Sequence, residues 1–100
     1  MRIADAAPRT RTVVTGTIFE VNTVSIGGAR SCFVALGDQS GEIGLLFLGR
    51  PIVPGLVVGA RCTVEGTVRL DGGRPVIWNP LYVLELPDAS WPDLQEEVDR

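Results

Sequence analysis

Phe33-Val34-Ala35-Leu36-Gly37-Asp38-Gln39-Ser40-Gly41-Glu42-Ile43 reads as a strand, a tight turn and a second strand. Asp38 and Ser40 are residues whose short polar side chains bond backbone amides within a turn, and Gly41 closes it. On either side of this hairpin the chain repeats a phrase: Val14-Thr15-Gly16-Thr17-Ile18 is echoed as Val64-Glu65-Gly66-Thr67-Val68. A glycine inside a strand has no Cβ to resist sharp coiling, so two long strands each broken by a glycine suit a small, strongly bent barrel. A hairpin held between two such strands predicts an all-β, five-stranded barrel.

Working outward, Arg11 to Ile26 is a long first strand, rich in Val, Thr and Ile, that runs into a Gly27-Gly28 loop. Arg30 to Gly37 is the second strand and Glu42 to Leu48 the third. Pro51, Pro54, Gly55 and Gly59 interrupt the next stretch too often for more than about one helical turn, so little or no helix is expected between strands 3 and 4. Arg61 to Leu70 alternates, with Cys62, Val64, Val68 and Leu70 on one face. Asp71-Gly72-Gly73 is a hairpin turn, and the fifth strand is split by Pro80 into a piece around Val76 to Trp78 and another over Leu81 to Leu86. Three regions follow: a flexible arm over residues 1–10, a barrel over 11–86, and a tail over 87–100. Ser90 and Asp93 have capping-box spacing, and Trp91, Leu94 and Val98 recur at helical intervals, which predicts a short C-terminal helix.

At 100 residues the chain holds one core, with 12 glycines and 7 prolines matching a loop-rich β protein. No apolar run nears the roughly 20 residues of a membrane span, and the start leads into no signal-peptide core, so a cytoplasmic protein is expected. Cys32 and Cys62 lack metal or redox spacing and read as buried thiols. All nine cations are arginines. The net charge of −3 is uneven: up to Leu84 eight arginines exceed six acids, while from Glu85 onward six acids face Arg100 alone.

The order of a Gly-broken strand, a Phe-x-x-Leu-x-Asp-x-Ser-Gly hairpin, a loop, a second Gly-broken strand and a Gly-rich turn resembles the oligonucleotide/oligosaccharide-binding fold, the Greek-key OB barrel. The residues carrying the resemblance are Gly16, Phe33, Leu36, Asp38, Ser40, Gly41, Ile43, Phe47, Gly59, Val64, Gly66 and the Asn79-Pro80-Leu81-Tyr82 segment. Within that fold the chain looks similar to small stand-alone bacterial OB proteins, to the wedge domain of fork-remodelling helicases and to the anticodon-binding domains of class II synthetases. Such a resemblance implies a ligand on the outer face of strands 2 and 3, flanked by the loops joining strands 1 to 2 and 4 to 5. Lacking a helix after strand 3, one end of the barrel needs another cover, either the Pro51 to Gly59 loop or the Trp91 to Val98 segment.

Without histidine the chain has no imidazole base or ligand, so no catalytic residue, metal or cofactor is assigned and the protein is expected not to be an enzyme. The expected function is weak, largely sequence-tolerant binding of single-stranded DNA or RNA. The candidate nucleic-acid-binding residues are Arg30, Phe33, Arg50, Arg69, Arg74 and Trp78, with Arg30, Arg69 and Arg74 placed at one end of the barrel. If Cys32, Val34 and Leu36 are core, Phe33 turns outward, where a base stacks on its ring while guanidinium groups hold phosphates. With the parity reversed Phe33 is core, and the arginines are then solvated turn charges. Trp78 is either packed or exposed; Phe19 and Tyr82 read as barrel packing, and Asn79 as a turn-former. The alternative is a module for protein–protein contact or homo-oligomer assembly, motivated by Leu45, Leu46 and Leu48 in one strand.

Overall fold

The computed structural model describes residues 2–85. They form β1 (Arg11–Ile26), β2 (Ala29–Asp38), β3 (Gly41–Phe47), β4 (Arg61–Asp71), β5 (Arg74–Trp78) and β6 (Leu81–Leu84). The strands run β1-β2-β3-β5-β4-β6, and an additional β1–β4 pairing closes the first five into a barrel. β5 runs parallel to β3, while the other pairs are antiparallel.

β1 is long because it serves two neighbours: Arg11 to Thr17 pair with β4, and Thr17 onward pairs with β2. At the crossover, a Cβ on Gly16 would lie 2.6 Å from the Gly37 carbonyl oxygen. On Gly66 it would run into Ile77 Cγ2. Both strand glycines are therefore places where two parts of the barrel approach more closely than any side chain permits. Just beyond Gly16 the register slips between Ile18 and Glu20, leaving Phe19 as the extra residue of a bulge.

The barrel interior is filled by Val14, Ile18, Cys32, Val34, Leu36, Ile43, Leu45, Phe47, Cys62, Val64, Val68 and Ile77, all at most 2% exposed. Both cysteines are free, and burial pushes their thiols above the usual range. Tyr82 packs edge-on against Phe47, with ring centroids 5.7 Å apart. The helix-free connection after β3 folds inward, burying Val53 and Leu56 in the core and so covering that end. The Trp91 to Val98 segment and the acidic tail lie outside the described residues.

Several expectations are corrected. Residues 3–5 make one 3-10 turn that seats Ile3 in the core at 2% exposure, where a flexible arm was expected. Its seat is the β2–β3 turn: Ile3 N–H donates to Asp38 Oδ2 at 2.9 Å, and Ala4 N–H to Ser40 Oγ at 3.0 Å. Leu70, assigned to the inner face of β4, is 56% exposed, because β4 outruns the barrel there and pairs only with the start of β5. Phe19, expected to pack inside, is 45% exposed: it follows inward-facing Ile18 and so points outward, and the bulge keeps Glu20 outside with it before Val21 turns back in. Leu45 and Leu46 are buried, at 0% and 4% exposure, and form no greasy strand surface.

Candidate nucleic-acid interface

Directly paired residues share a face of a sheet, so the register lays out the outer surface row by row. Phe33 pairs with Asn22 and Leu46, and Leu46 with Trp78, which gives a first row across β1, β2, β3 and β5. The next row is Glu20, Ala35, Gly44, Val76 and Arg69. A third holds Gly37 and Glu42, bordered by the Phe19 bulge on β1. Arg74 stands two residues before Val76 on β5, so it falls at the level of Glu42 and opposite Asp71 of β4.

The middle row is small, and the aromatic residue beside it uses that room. A Cβ on Gly44 would meet Phe33 Cε1 at 2.7 Å and Cζ at 3.0 Å, so the ring leans along the sheet across Gly44. The parity that buries Cys32, Val34 and Leu36 puts Phe33 on the outer face, half-buried. Its ring forms one wall of a groove of about 620 Å³, lined also by Ala35, Gly44, Glu42, Arg74 and Val76.

Trp78 is half-buried beside it, with the Arg69 guanidinium 4.5 Å from the ring centroid. Such a cation–π contact contributes about 0.5–1 kcal/mol at an exposed site and holds the charge ready at the rim of the face. The Trp78 indole N–H is buried without a hydrogen-bond partner among the described residues. Asn79, with φ 53°, ends β5, and its Oδ1 accepts from Leu48 N–H at 2.9 Å, which fits its reading as a turn-former.

The candidate arginines do not gather at one end. Arg74 sits level with Gly37 and Glu42, while Arg30 lies seven residues away along β2, about 23 Å at strand spacing. Arg30 also alternates with Cys32 and Val34, on the opposite side of β2 from Phe33. Ala29 and Arg30 pair with β1 alone, since β3 reaches no further than Cys32, so they belong to a projecting β1–β2 finger. Arg50 is exposed just past β3, near the Trp78 corner. The structure thus groups Phe33, Trp78, Arg69 and Arg74 on one face, leaves Arg50 at its margin and removes Arg30 from it.

Ion pairing follows this line only in part, since Arg9 and Arg30, off the face, also have no carboxylate within salt-bridge distance among the described residues. Arg2 pairs with Asp5, Arg11 with Glu65 and Arg61 with Glu85, all away from the Phe33–Trp78 corner. Arg50, Arg69 and Arg74 have no carboxylate within salt-bridge distance among the described residues. Asp38 is committed elsewhere: it accepts from Ser40 Oγ and from the N–H groups of Ile3, Ser40 and Gly41, which lowers its carboxyl to about 2. The described residues contain no group of three metal-ligating side chains. None of the helices described is long and apolar enough to cross a membrane.

Phe19 lines the same groove as Phe33, a placement that sequence reasoning missed. A Cβ on Gly37 would come within 3.2 Å of Phe19 Cε2, so this ring too covers a glycine on the outer face. The sequence signal was the parity break itself, with Ile18 and Phe19 adjacent and Val21 next inward, as a bulge requires.

No family model matches the chain, and no curated protein matches it. Among solved structures it is similar to the solution structure of a replication factor A related protein from Methanobacterium thermoautotrophicum, with a TM-score of 0.66 at 16% identity. The match covers 85% of this chain and 89% of that one. The likeness is one of fold, and the fold is an OB-like barrel.

Proposed function

We propose that this protein binds single-stranded nucleic acid, DNA or RNA, without catalysis and with little sequence preference, on the outer face of β2, β3 and β5. The observation that carries the reading is the Phe33 ring leaning across Gly44 beside Trp78, with the unpaired Arg69 and Arg74 within the same face. An aromatic side chain laid along a sheet offers a base its π-surface, and every base has one to stack, which is why such sites tolerate sequence. The neighbour's printed description, a replication factor A related protein, favours the same class of ligand. An OB protein of bacterial type, acting in the cytoplasm, fits this reading.

Affinity should be modest. One or two stacked bases contribute about 1–3 kcal/mol each, and three arginines on phosphates give a single-strand salt slope of about −2. Fluorescence of a labelled oligothymidine titrated at low salt tests the reading, with dissociation constants of about micromolar order expected. No binding up to tens of micromolar protein, or binding indifferent to salt, would refute it.

A second reading has its own observation. On the face of β1, β4 and β6, Val13, Glu65 and Leu81 form one row and Thr15, Thr63 and Val83 another. Val13, Leu81 and Val83 are 48%, 63% and 69% exposed. This β-branched, weakly charged surface lies on a different part of the barrel from the Phe33 face and favours a protein contact, including one with a second copy. Light scattering at high concentration decides that reading: a monomer with no associated protein counts against it.

A further inference from the structure

Besides Phe33 and Trp78, the same outer face carries a third aromatic ring, one that the OB resemblance does not assign. Phe19 is the extra residue of the β1 bulge, is 45% exposed, and leans over Gly37 as Phe33 leans over Gly44. Gly37 pairs with Glu42, and Gly44 lies two residues further along β3, one strand across. Strand geometry puts the two glycine seats about 8 Å apart. The rings are thus neighbours on one surface, each supported by a glycine and each open above.

Beyond Phe19 the surface continues. A second groove of about 900 Å³ runs over the β2–β3 turn, lined by Thr17, Gly37, Ser40, Arg2 and Arg61. It meets the Phe33 groove at Phe19, Gly41 and Glu42, so the two form one channel with Phe19 as its ridge. Asp38 borders it, but its carboxylate is occupied by four hydrogen bonds. On the wall, Arg61 donates to Glu85 at 3.1 Å and to Thr17 Oγ1 at 3.4 Å, with its side chain half exposed. An exposed ion pair of this kind contributes little and exchanges readily for a phosphate.

Resting on the proposed binding of single strands, we propose that Phe19 is a second stacking platform, taking the base next along the strand from the one on Phe33. The strand then crosses the barrel from the Trp78 corner, over Phe33 and Phe19, to Arg61 above the β2–β3 turn. Glu42 lines both grooves, so the bases face the sheet and the phosphates stay outward, away from that carboxylate.

A length series of labelled oligothymidines, titrated against the full chain and its variants, tests this. Phe33→Ala should weaken binding at every length. Phe19→Ala should leave the shortest binding oligomer unaffected and weaken longer ones about 5- to 150-fold, the worth of one stacked base. Phe19→Trp should restore the loss. Because truncating Phe19 uncovers Gly37, wild-type protein is also followed by amide chemical shifts, where long oligomers should move Phe19 and Gly37 and short ones should not. If Phe19→Ala binds all lengths like wild type while Phe33→Ala is impaired, the second platform is refuted and the proposed function stands. If wild-type protein binds no oligomer, both fall.

Discussion

Gly44→Ala separates a ring that acts as a stacking platform from one that merely covers the sheet. The substitution changes no charge, removes no aromatic residue and breaks no ladder hydrogen bond. Its new methyl group would sit 2.7 Å from Phe33 Cε1 and 3.0 Å from Cζ, with Val76 Cγ2 at 3.4 Å. Carbon atoms rest about 3.5–4.0 Å apart, so the edge of the ring must rise by about 1 Å and tilt off the sheet. The displaced atoms are the far end of a side chain with solvent above it, so the backbone need not move. Alanine also recovers about 0.5–1 kcal/mol relative to glycine inside a strand, and the net change in stability should stay within about 1 kcal/mol. That corresponds to a shift in melting temperature of no more than about 4–8 °C. Binding should suffer more. If tilting forfeits half of a stacking contribution of about 1–3 kcal/mol, affinity for oligothymidine falls about 2- to 12-fold. Titration beside thermal unfolding of the same preparation gives both numbers. Unchanged affinity at an unchanged melting temperature would refute the platform role of Phe33, and collapse of the fold would refute the claim that the ring is free to lift.

Gly16→Ala acts on the fold instead: its Cβ would meet the Gly37 carbonyl oxygen at 2.6 Å, a backbone atom with nowhere to go, so calorimetry should show a loss of about 1–3 kcal/mol. Arg69→Ala should weaken oligonucleotide binding and make the salt slope shallower by about 0.7, whereas Arg30→Ala, on the far side of β2, should change neither; equal effects of the two would contradict the register. Asp38 has its carboxyl lowered to about 2 by the Ser40 hydroxyl and by backbone amides, so its contribution to stability is complete above about pH 4 and disappears as the pH falls towards 2. Comparing denaturant unfolding of wild type and Asp38→Asn across that window should show the two curves converging in acid; parallel curves would contradict the assignment. Ile3→Ala empties a buried site and should cost about 2–5 kcal/mol, which an unchanged melting temperature would exclude.

The barrel was legible because its signals are local. The Gly16 and Gly66 phrases, the Asp38–Gly41 turn and the alternation of Arg61 to Leu70 each state a strand or turn within a few residues, and β1 begins and ends where its composition changes. Pro80 separates β5 from β6 as its missing N–H requires. Most of the misreadings are long-range. Ile3 looked like part of a loose arm because its partners, Asp38 and Ser40, stand some 35 residues away in a turn that already satisfied its own amides. Phe19 looked like core because it is a large aromatic in an apolar strand, yet alternation from Val14, Gly16 and Ile18 already turns it outward, and the bulge brings Val21 rather than Glu20 back inside. Arg30 and Arg74 looked adjacent because both sit at hairpin turns, yet the parallel pairing of β3 and β5 sends those turns to opposite ends of the hairpin.

Charge alone would not have located the candidate site. The groove beside Phe33 contains Glu20, Glu42 and Asp71 against Arg74, so its floor is closer to acidic than basic. A polyanion lying with its phosphates in that groove would be repelled, whereas one that turns its bases inward meets Phe33, Ala35, Gly44 and Val76 and keeps its phosphates near the rim. The cations at the rim, Arg69 held over Trp78 and Arg50 just past β3, have no carboxylate within salt-bridge distance among the described residues. The orientation of a bound strand would therefore follow from where the acids are as much as from where the arginines are. Binding of this kind draws its free energy mainly from stacking, so added salt should weaken it only gently. Replacing Glu42 with Gln would then raise affinity slightly and leave the salt slope nearly unchanged, while a steep slope in the wild-type protein would place the phosphates on the floor and overturn the geometry argued for both rings.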